Sequence, residues 1–372
     1  MAKYDFAVGS TNPETFPTER FAEAAAAAIR KAGPQLSFYP GSLGHPELRA
    51  QMAARESERE GVQVNADHIA LMHGSMQAIT VVADAFRKGV DDRIVMEEFS
   101  YSGTISAFKG KGFEMVGVPV DNEGMQMDAL EATLTRMYAE NRPPRFIYTL
   151  ATYQNPTGTV LPKVRRVKLV ELAQRFNTVL VEDNCYGDVH FEGAKEPALY
   201  TLDDRPESIY IGSLSKIFAP GVRLGYVYAR PPMLEKITAQ RFDAGPNSLA
   251  SAIMAEYLRD RLWEHIEHAN VALKEKRDAM LTALDTALGN ICAISQPVGG
   301  LFIWVKLPDN VDRKRLAQLA EQRSVGYAKG ANFHIHNADV PYLRLAFGHV
   351  PEDLIREGIP VLASCIRDAQ IH

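Results

Sequence analysis

Short apolar runs recur along the first two thirds of the chain and alternate with amphipathic stretches of helical length. Amphipathic segments at 75–88 and 162–176 separate several of these runs, and such an alternation predicts a mostly parallel sheet covered by helices. The runs are apolar almost throughout, which is typical of strands buried on both faces. Seven strands are predicted, at residues 68–74, 92–98, 112–120, 145–153, 178–184, 207–215 and 224–230.

The pattern changes after about residue 250, where a long helical region (248–288, interrupted near His268) precedes more closely spaced strands. Strands with few helices between them predict a smaller α+β unit. A Pro/Thr/Asn-rich arm over residues 1–18 leads into an Ala-rich helix at 19–31. In the last part of the chain we predict strands at 291–297, 301–308, 325–330 and 342–348, and helices near 311–323 and 351–369.

The composition is that of a globular protein, with 46% hydrophobic and 23% charged residues. A net charge of −5 without a basic run argues against a nucleic-acid partner. We expect no membrane span and no secretory leader, since neither a long apolar stretch nor an apolar N-terminal region is present. Cys185, Cys292 and Cys365 are odd in number and far apart, which indicates reduced thiols and predicts a cytoplasmic location.

The most informative motif is Ser213-Leu-Ser-Lys216-Ile-Phe-Ala-Pro-Gly-Val-Arg223-Leu-Gly225. It places a lysine at the end of a predicted buried strand, followed by a Pro-Gly turn and an arginine. Burial disfavours the charged form of a lysine and lowers its pKa, which suits a lysine that forms a Schiff base with an aldehyde. A lone lysine is more often an exposed loop residue, but the flanking Ser213 and Arg223 argue against that interpretation.

Two further motifs also follow predicted strands. Asp183 and Tyr186 come after the run at 178–184, at the strand end where open α/β sheets bind ligands. A carboxylate there pairs with a protonated heterocycle nitrogen or simply caps a turn. Asn155 lies in Tyr153-Gln-Asn-Pro-Thr-Gly158, which is also a strong turn former.

Ser75 and Met76 open the helix predicted after the first strand, in His73-Gly-Ser-Met-Gln77. The free amides at the start of a helix attract phosphate. On its own the Gly-Ser pair is more often a tight turn than an anion site.

In this order the four motifs resemble the aminotransferase class I/II family, the fold-type I enzymes that use pyridoxal 5′-phosphate (PLP). The resemblance runs from Gly9 to beyond Arg344. It is nearest to the branch of 2-aminoadipate and kynurenine aminotransferases and to the aminotransferase-like half of MocR-type regulators. It implies an α/β fold with a seven-stranded, mostly parallel sheet in a large domain and a smaller α+β domain. We expect an arm and helix at 1–38 associated with the small domain, a large PLP-binding domain at 39–269 and a small domain at 270–372.

The resemblance also implies roles for individual residues. Lys216 matches the lysine that forms the internal aldimine and then moves the substrate proton, and Asp183 matches the carboxylate that pairs with the pyridine nitrogen. Tyr186 and Asn155 match residues that meet the cofactor O3′. Tyr101 matches the ring that stacks on the pyridine, with plain core packing as the alternative. The phosphate is expected to bind Ser75, Met76, Ser213, Arg223 and, from the neighbouring subunit of a homodimer, Tyr39.

Arg344 is flanked by apolar residues in Tyr342-Leu-Arg-Leu-Ala-Phe347. Burial of an arginine without an anion is costly, and a bidentate carboxylate is a natural partner. The resemblance implies that Arg344 binds the substrate α-carboxylate, with a structural ion pair as the alternative, and that Gly9 passes over the substrate. Arg20 and Arg241 are the candidates for a distal carboxylate, although surface charges are the more ordinary interpretation. His334 and His336 alternate on one strand face, but no metal site is expected.

The predicted function is transfer of an amino group from an L-amino acid to a 2-oxo acid, through a Lys216 aldimine and pyridoxamine phosphate (PMP). The same residues serve related PLP lyases, decarboxylases and synthases, which are the first alternative. The second is a PLP-binding sensor module without catalysis. Such sensors carry a DNA-binding domain, whereas this sequence shows no basic helix-turn-helix stretch.

Overall fold

The structure, a computed structural model, describes residues 2–259 and 261–371. Its strands are β1 (Tyr4–Asp5), β2 (Ile69–Met72), β3 (Arg93–Glu97), β4 (Glu114–Val118), β5 (Val120–Asp121), β6 (Gly124–Met125), β7 (Phe146–Thr149), β8 (Val179–Asp183), β9 (Ser208–Ser213), β10 (Gly225–Ala229), β11 (Ala293–Ile294), β12 (Phe302–Lys306), β13 (Val325–Gly326), β14 (Ala328–Lys329) and β15 (Tyr342–Ala346). Its α-helices are α1 (Thr18–Ala32), α2 (Pro46–Glu60), α3 (Ser75–Phe86), α4 (Ser102–Gly110), α5 (Met127–Ala139), α6 (Lys163–Arg175), α7 (Leu199–Leu202), α8 (Met233–Thr238), α9 (Ser248–Leu258), α10 (Leu262–Leu288), α11 (Arg313–Gln322) and α12 (Glu352–Asp368).

The central sheet has seven strands in the order β2-β10-β9-β8-β7-β3-β4. Neighbouring strands are parallel except for the two pairs that β10 makes, with β2 and with β9. Each of the seven predicted runs is one strand of this sheet, so the predicted α/β fold with a mostly parallel sheet is confirmed. The carboxyl ends of β7, β8 and β9 consequently meet at one edge.

Helices cover both faces of this sheet. Val95 of β3 and Ile147 of β7 pack in one apolar cluster with Leu134 of α5. Met96 and Tyr148, the next residue on each of the same two strands, belong to the larger core on the other face. Burial on both faces explains why the strands are apolar almost throughout.

The last part of the chain forms a four-stranded antiparallel sheet in the order β11-β12-β15-β14. The N-terminal arm joins this part, because β1 pairs in parallel with β13. Phe6 continues the contact: its N–H donates to the Gly326 carbonyl (2.9 Å), and its own carbonyl accepts from the Ala346 N–H (2.8 Å).

The structure corrects three details. The helical region is interrupted between α9 and α10, not near His268, because the buried Ile266, Ala269 and Leu273 keep helical spacing past that residue. Residues 325–330 hold two short strands and a turn instead of one strand. The arm, for which no strand is predicted, contributes β1. The expected boundary after residue 269 falls inside α10, and the three-part division stays a prediction.

Arg166 of α6 is among the largest fully buried side chains of the described residues. Its Nε donates to the Leu161 carbonyl (2.7 Å) and its Nη2 to the Ala151 carbonyl (2.8 Å), while Nη1 lies 3.3 Å from Glu182 Oε1. Burial raises the pKa of Glu182 to about 7. The Arg166 guanidinium therefore connects α6 and the loop after β7 with the carboxyl end of β8.

Replacing Arg166 with Met should lower the free energy of unfolding by about 3 kcal/mol, because it leaves the buried Glu182 carboxyl without its charged partner. Urea unfolding measures the change. Arg165→Met is the matched control, since Arg165 pairs with the partly exposed Asp121 on the surface and its loss should cost less than about 1 kcal/mol. Equal losses for the two variants would contradict the importance of the buried pair.

Candidate functional site

A cavity of about 190 Å³ opens at the carboxyl edge of the central sheet. The loops after β7, β8 and β9 and the first turns of α3 form its wall. Its lining comprises Ser75, Met76, Ile79, Tyr101, Leu150, Asp183, Cys185, Tyr186, Ser215, Lys216, Pro220 and Arg223. Three of the four sequence motifs thus contribute lining residues directly.

Lys216 lies three residues beyond the end of β9, and its side chain reaches the N-terminal arm. Its Nζ donates to the Gly9 carbonyl (2.7 Å). Burial lowers the pKa of Lys216, and the positive charges of Arg344 and Arg223 lower it further. The residue that follows Lys216 is fixed by α10, because Nε2 of His265 donates to the Ile217 carbonyl (2.8 Å). A fixed lysine with a lowered pKa loses its proton more readily and becomes a better nucleophile.

Asp183 is the last residue of β8 and is 2% exposed. Its Oδ2 accepts a hydrogen bond from the Tyr148 hydroxyl (2.7 Å), whereas its buried Oδ1 has no partner among the described residues. Burial raises the pKa of Asp183, and the bond from Tyr148 opposes that rise. A carboxylate oxygen left unpaired at a cavity wall is costly unless a ligand donates to it. A protonated ring nitrogen is such a donor.

A cationic corner lies at the start of α3. Gly74 precedes the helix with a φ of 78°, and no side chain caps the helix. Arg223, in a left-handed conformation with φ 55°, donates from Nη2 to the His73 carbonyl (3.0 Å). Gly74 permits this proximity, since a Cβ there would stand 2.9 Å from Arg223 Nη2. Free helix amides beside a guanidinium form a binding site for a phosphate group.

Arg344 on β15 is connected to the cavity by two hydrogen bonds. Its Nη1 donates to Asn155 Oδ1 (3.1 Å), and Asn155 Nδ2 donates to the Tyr186 hydroxyl (3.2 Å). Its Nη2 donates to the Ala7 carbonyl (2.5 Å), while its buried Nε has no partner among the described residues. Burial lowers the pKa of Arg344 to about 10.

The surroundings of Arg344 are aromatic and not acidic. Its guanidinium carbon lies 4.3 Å from the ring centre of Phe302 and 4.6 Å from that of Phe333. Among the described residues no carboxylate lies within 4.0 Å of it, which removes the alternative of a structural ion pair. A buried guanidinium without an acidic partner is costly, and an anion from outside the chain would stabilise it.

The remaining predicted residues take different positions. The Ser213 hydroxyl accepts from the Ser215 N–H (3.2 Å) just behind the lining. Tyr39 is 86% exposed and belongs to a separate surface cavity. Arg20 pairs with Glu264, away from the site. The interpretation of Arg241 as a surface charge is wrong, because its side chain is 2% exposed and is paired with Asp243.

Sequence reasoning missed Tyr148, which is fully buried and orients Asp183. The available signal was a tyrosine inside an apolar run, since a buried hydroxyl needs a partner. Within the described residues no three His, Cys, Asp or Glu side chains form a group that could hold a metal ion. None of the described helices has the length and apolar character needed to cross a membrane.

These features fit PLP. The unpartnered Asp183 Oδ1 suits its pyridinium, the start of α3 with Arg223 suits its phosphate, and Lys216 suits its aldehyde. All three lie on the wall of one cavity.

Comparison with known proteins agrees with this geometry. The sequence model of the family "Aminotransferase class I and II" matches residues 5–362. The chain is 34% identical to an aromatic-amino-acid aminotransferase of Thermococcus litoralis, over 97% of this chain and 87% of that protein. It is 32% identical to a 2-aminoadipate transaminase of Thermus thermophilus, over 97% and 89% of the two chains.

A solved structure leads to the same conclusion. A kynurenine aminotransferase of Pyrococcus horikoshii in complex with PMP superposes with a TM-score of 0.93 at 31% identity, covering 98% of this chain and 91% of that one. These relatives favour transamination over the lyase, decarboxylase and synthase alternatives and confirm the resemblance seen in the motifs. The chain belongs to the aminotransferase class I and II family, and it is a fold-type I aminotransferase that uses PLP.

Proposed function

We propose that Lys216, Asp183 and Arg344 carry the transamination of this enzyme. The observation on which the proposal rests is that Lys216 and Asp183 line one cavity and that Asp183 Oδ1 has no hydrogen-bond partner among the described residues. Bound PLP supplies an electron sink for the carbanion that forms at the substrate Cα. Lys216 attaches the cofactor and then moves the proton at Cα, and Asp183 holds the proton on the pyridine nitrogen.

Other residues in and around the cavity orient the reactants. Tyr186 and Asn155 hold the cofactor O3′, and Asn155 also joins this group to Arg344. Tyr101 covers one face of the pyridine ring. Ser75, Met76, Ser213 and Arg223 bind the phosphate. Fixed donors of this kind stabilise developing charge without reorganising during the reaction.

Arg344 binds the α-carboxylate of the amino acid and of the 2-oxo acid, and Gly9 covers it. Its Nε, which has no partner among the described residues, is available as a donor for bidentate binding. Phe302 and Phe333 give the guanidinium an aromatic border, and Arg20 and Arg241 are already paired elsewhere. We therefore propose a broad donor range that includes aromatic L-amino acids, in line with the names of the relatives, with glutamate as one further donor.

Two copies of the chain are proposed to form a homodimer with shared sites. Phe38 and Phe242 are 66% and 95% exposed, and the exposed Tyr39 lies beside Phe38. Large aromatic side chains exposed to this extent indicate a contact surface. In the dimer Tyr39 would reach the phosphate of the neighbouring subunit. A protein that sediments as a monomer at micromolar concentration would contradict this.

A cytoplasmic location is proposed on the state of the cysteines. Cys185, Cys292 and Cys365 are all free and buried. Reduced thiols are typical of a reducing compartment. Fractionation of the source cells would test the location.

Two variants test the catalytic assignment. Lys216→Ala should abolish turnover, because no other group holds the cofactor aldehyde and moves the Cα proton. Asp183→Ala should retain cofactor but lower kcat about hundredfold or more, since the pyridine nitrogen loses its charged partner. Visible absorbance of the bound cofactor and release of 2-oxo acid from a panel of amino acids measure both. Full turnover by Lys216→Ala would refute the assignment.

Replacing Arg344 with Ala should lower kcat/KM about hundredfold for amino acids and 2-oxo acids alike, because both lose a charged hydrogen bond to their carboxylate. Cofactor absorbance should stay unchanged. Arg20→Ala is the control, since its exposed pair with Glu264 lies outside the site. If the Arg344 variant bound substrates normally, the carboxylate would have to bind elsewhere.

A further inference from the structure

The N-terminal arm contacts two of the cationic side chains of the site, Arg344 and Lys216. After Phe6 leaves the small sheet, the Ala7 carbonyl accepts from Arg344 Nη2 and the Gly9 carbonyl accepts from Lys216 Nζ. Gly9 also lies against the Phe302 ring, where an added Cβ would stand 2.9 Å from a ring carbon. A displacement of the arm would therefore change the surroundings of both Arg344 and Lys216.

A buried lysine holds the next turn of the arm. Lys276 of α10 is 4% exposed, and its Nζ donates to Asn12 Oδ1 (2.9 Å). The same Nζ lies 3.1 Å from Glu14 Oε2. Asn12 is itself buried, and its Oδ1 also accepts from the Glu14 N–H (3.1 Å). One ammonium thus joins two residues of a single turn to the long helix.

A packing role alone does not explain why a lysine occupies position 276. Leu273 and Met280, three residues before it and four after it on α10, are buried apolar side chains. An apolar residue would continue that face without any desolvation cost, whereas a buried ammonium is unfavourable unless it is paired. The side-chain partners of Lys276 within hydrogen-bonding or ion-pair distance, Asn12 and Glu14, both lie in the arm.

We propose that Lys276 is a positioning residue for the aminotransferase reaction. It fixes the turn at Asn12 and Glu14, so that the Ala7 and Gly9 carbonyls stay over Arg344 and Lys216 and the arm closes the substrate side of the cavity. The inference rests on the proposed roles of Arg344 and Lys216. It means that Lys276, a side chain outside the cavity, helps to keep the substrate bound.

Lys276→Met tests the proposal, because it keeps an unbranched apolar stem and removes the charge. KM for the amino acid should rise about tenfold, the equivalent of one lost charged hydrogen bond, while kcat changes less than about threefold. Visible absorbance of the bound cofactor should not change. Lys274→Met is the matched control on the same helix, since Lys274 pairs with Asp278 away from the arm, and its KM should match the wild type.

The arm offers the reciprocal variant. Asn12→Ala should raise KM in the same direction. The effect of the Lys276→Met/Asn12→Ala double variant should be smaller than the sum of the two single effects, since both substitutions remove the Lys276–Asn12 contact. If Lys276→Met does not fold, Asn12→Ala carries the test alone. A purely structural role would lower the melting temperature and the yield of active enzyme without moving KM, and that result would overturn the proposal.

The result for Arg344→Ala separates the two levels of inference. A large loss of substrate affinity in Arg344→Ala together with an unchanged KM in Lys276→Met would overturn only the role of Lys276. Unaltered substrate binding in Arg344→Ala would instead remove the proposed carboxylate site on which this inference rests.

Discussion

The parallel register of β7, β8 and β9 is the constraint on which the site depends. Val181 of β8 stands between Tyr148 and Ile209 of its two neighbours, and all three side chains belong to one core. Because side chains alternate between faces, a slip of one residue would send Asp183 to the opposite face of the sheet. The apolar residues in the middle of each strand therefore hold the polar residues at its end in place. Catalytic geometry here is a product of core packing.

The same burial that stabilises the sheet prepares the electrostatics of the site. It lowers the pKa of Lys216 and of Arg344 and raises that of Asp183. Each shift marks a charge that lacks part of its hydration, and Asp183 Oδ1 and Arg344 Nε keep hydrogen-bonding capacity that no described residue uses. In the proposed function, the ring nitrogen of the cofactor and the carboxylate of the substrate are these two missing partners. The protein accordingly tolerates unfavourable charges where its ligands will neutralise them.

Sequence patterns predicted the parts of this structure that depend on local information. The seven central strands followed from uninterrupted apolar runs, and the placement of Lys216 and Asp183 at strand ends followed from motifs that end such runs. Tyr148 and Lys276 were not predicted, because each is a polar residue in an apolar pattern whose partner lies far away in the chain. The buried role of Arg166 was not predicted for the same reason. The predicted interruption near His268 was wrong because His268 lies on the exposed side of α10, where a polar residue does not end a helix.

The length of α10 has a consequence for how this protein can change over time. His265 near its start contacts the Ile217 carbonyl and Lys276 contacts the arm, so the two contacts lie eleven positions apart on the helix. That separation is about 16 Å along the axis, and each inserted or deleted residue would turn everything beyond it by about 100°. Side chains on the outer face of this stretch can diverge, but the number of residues in the stretch has to stay the same. We therefore expect descendants of this chain that vary in loop length to preserve the spacing between positions 265 and 276.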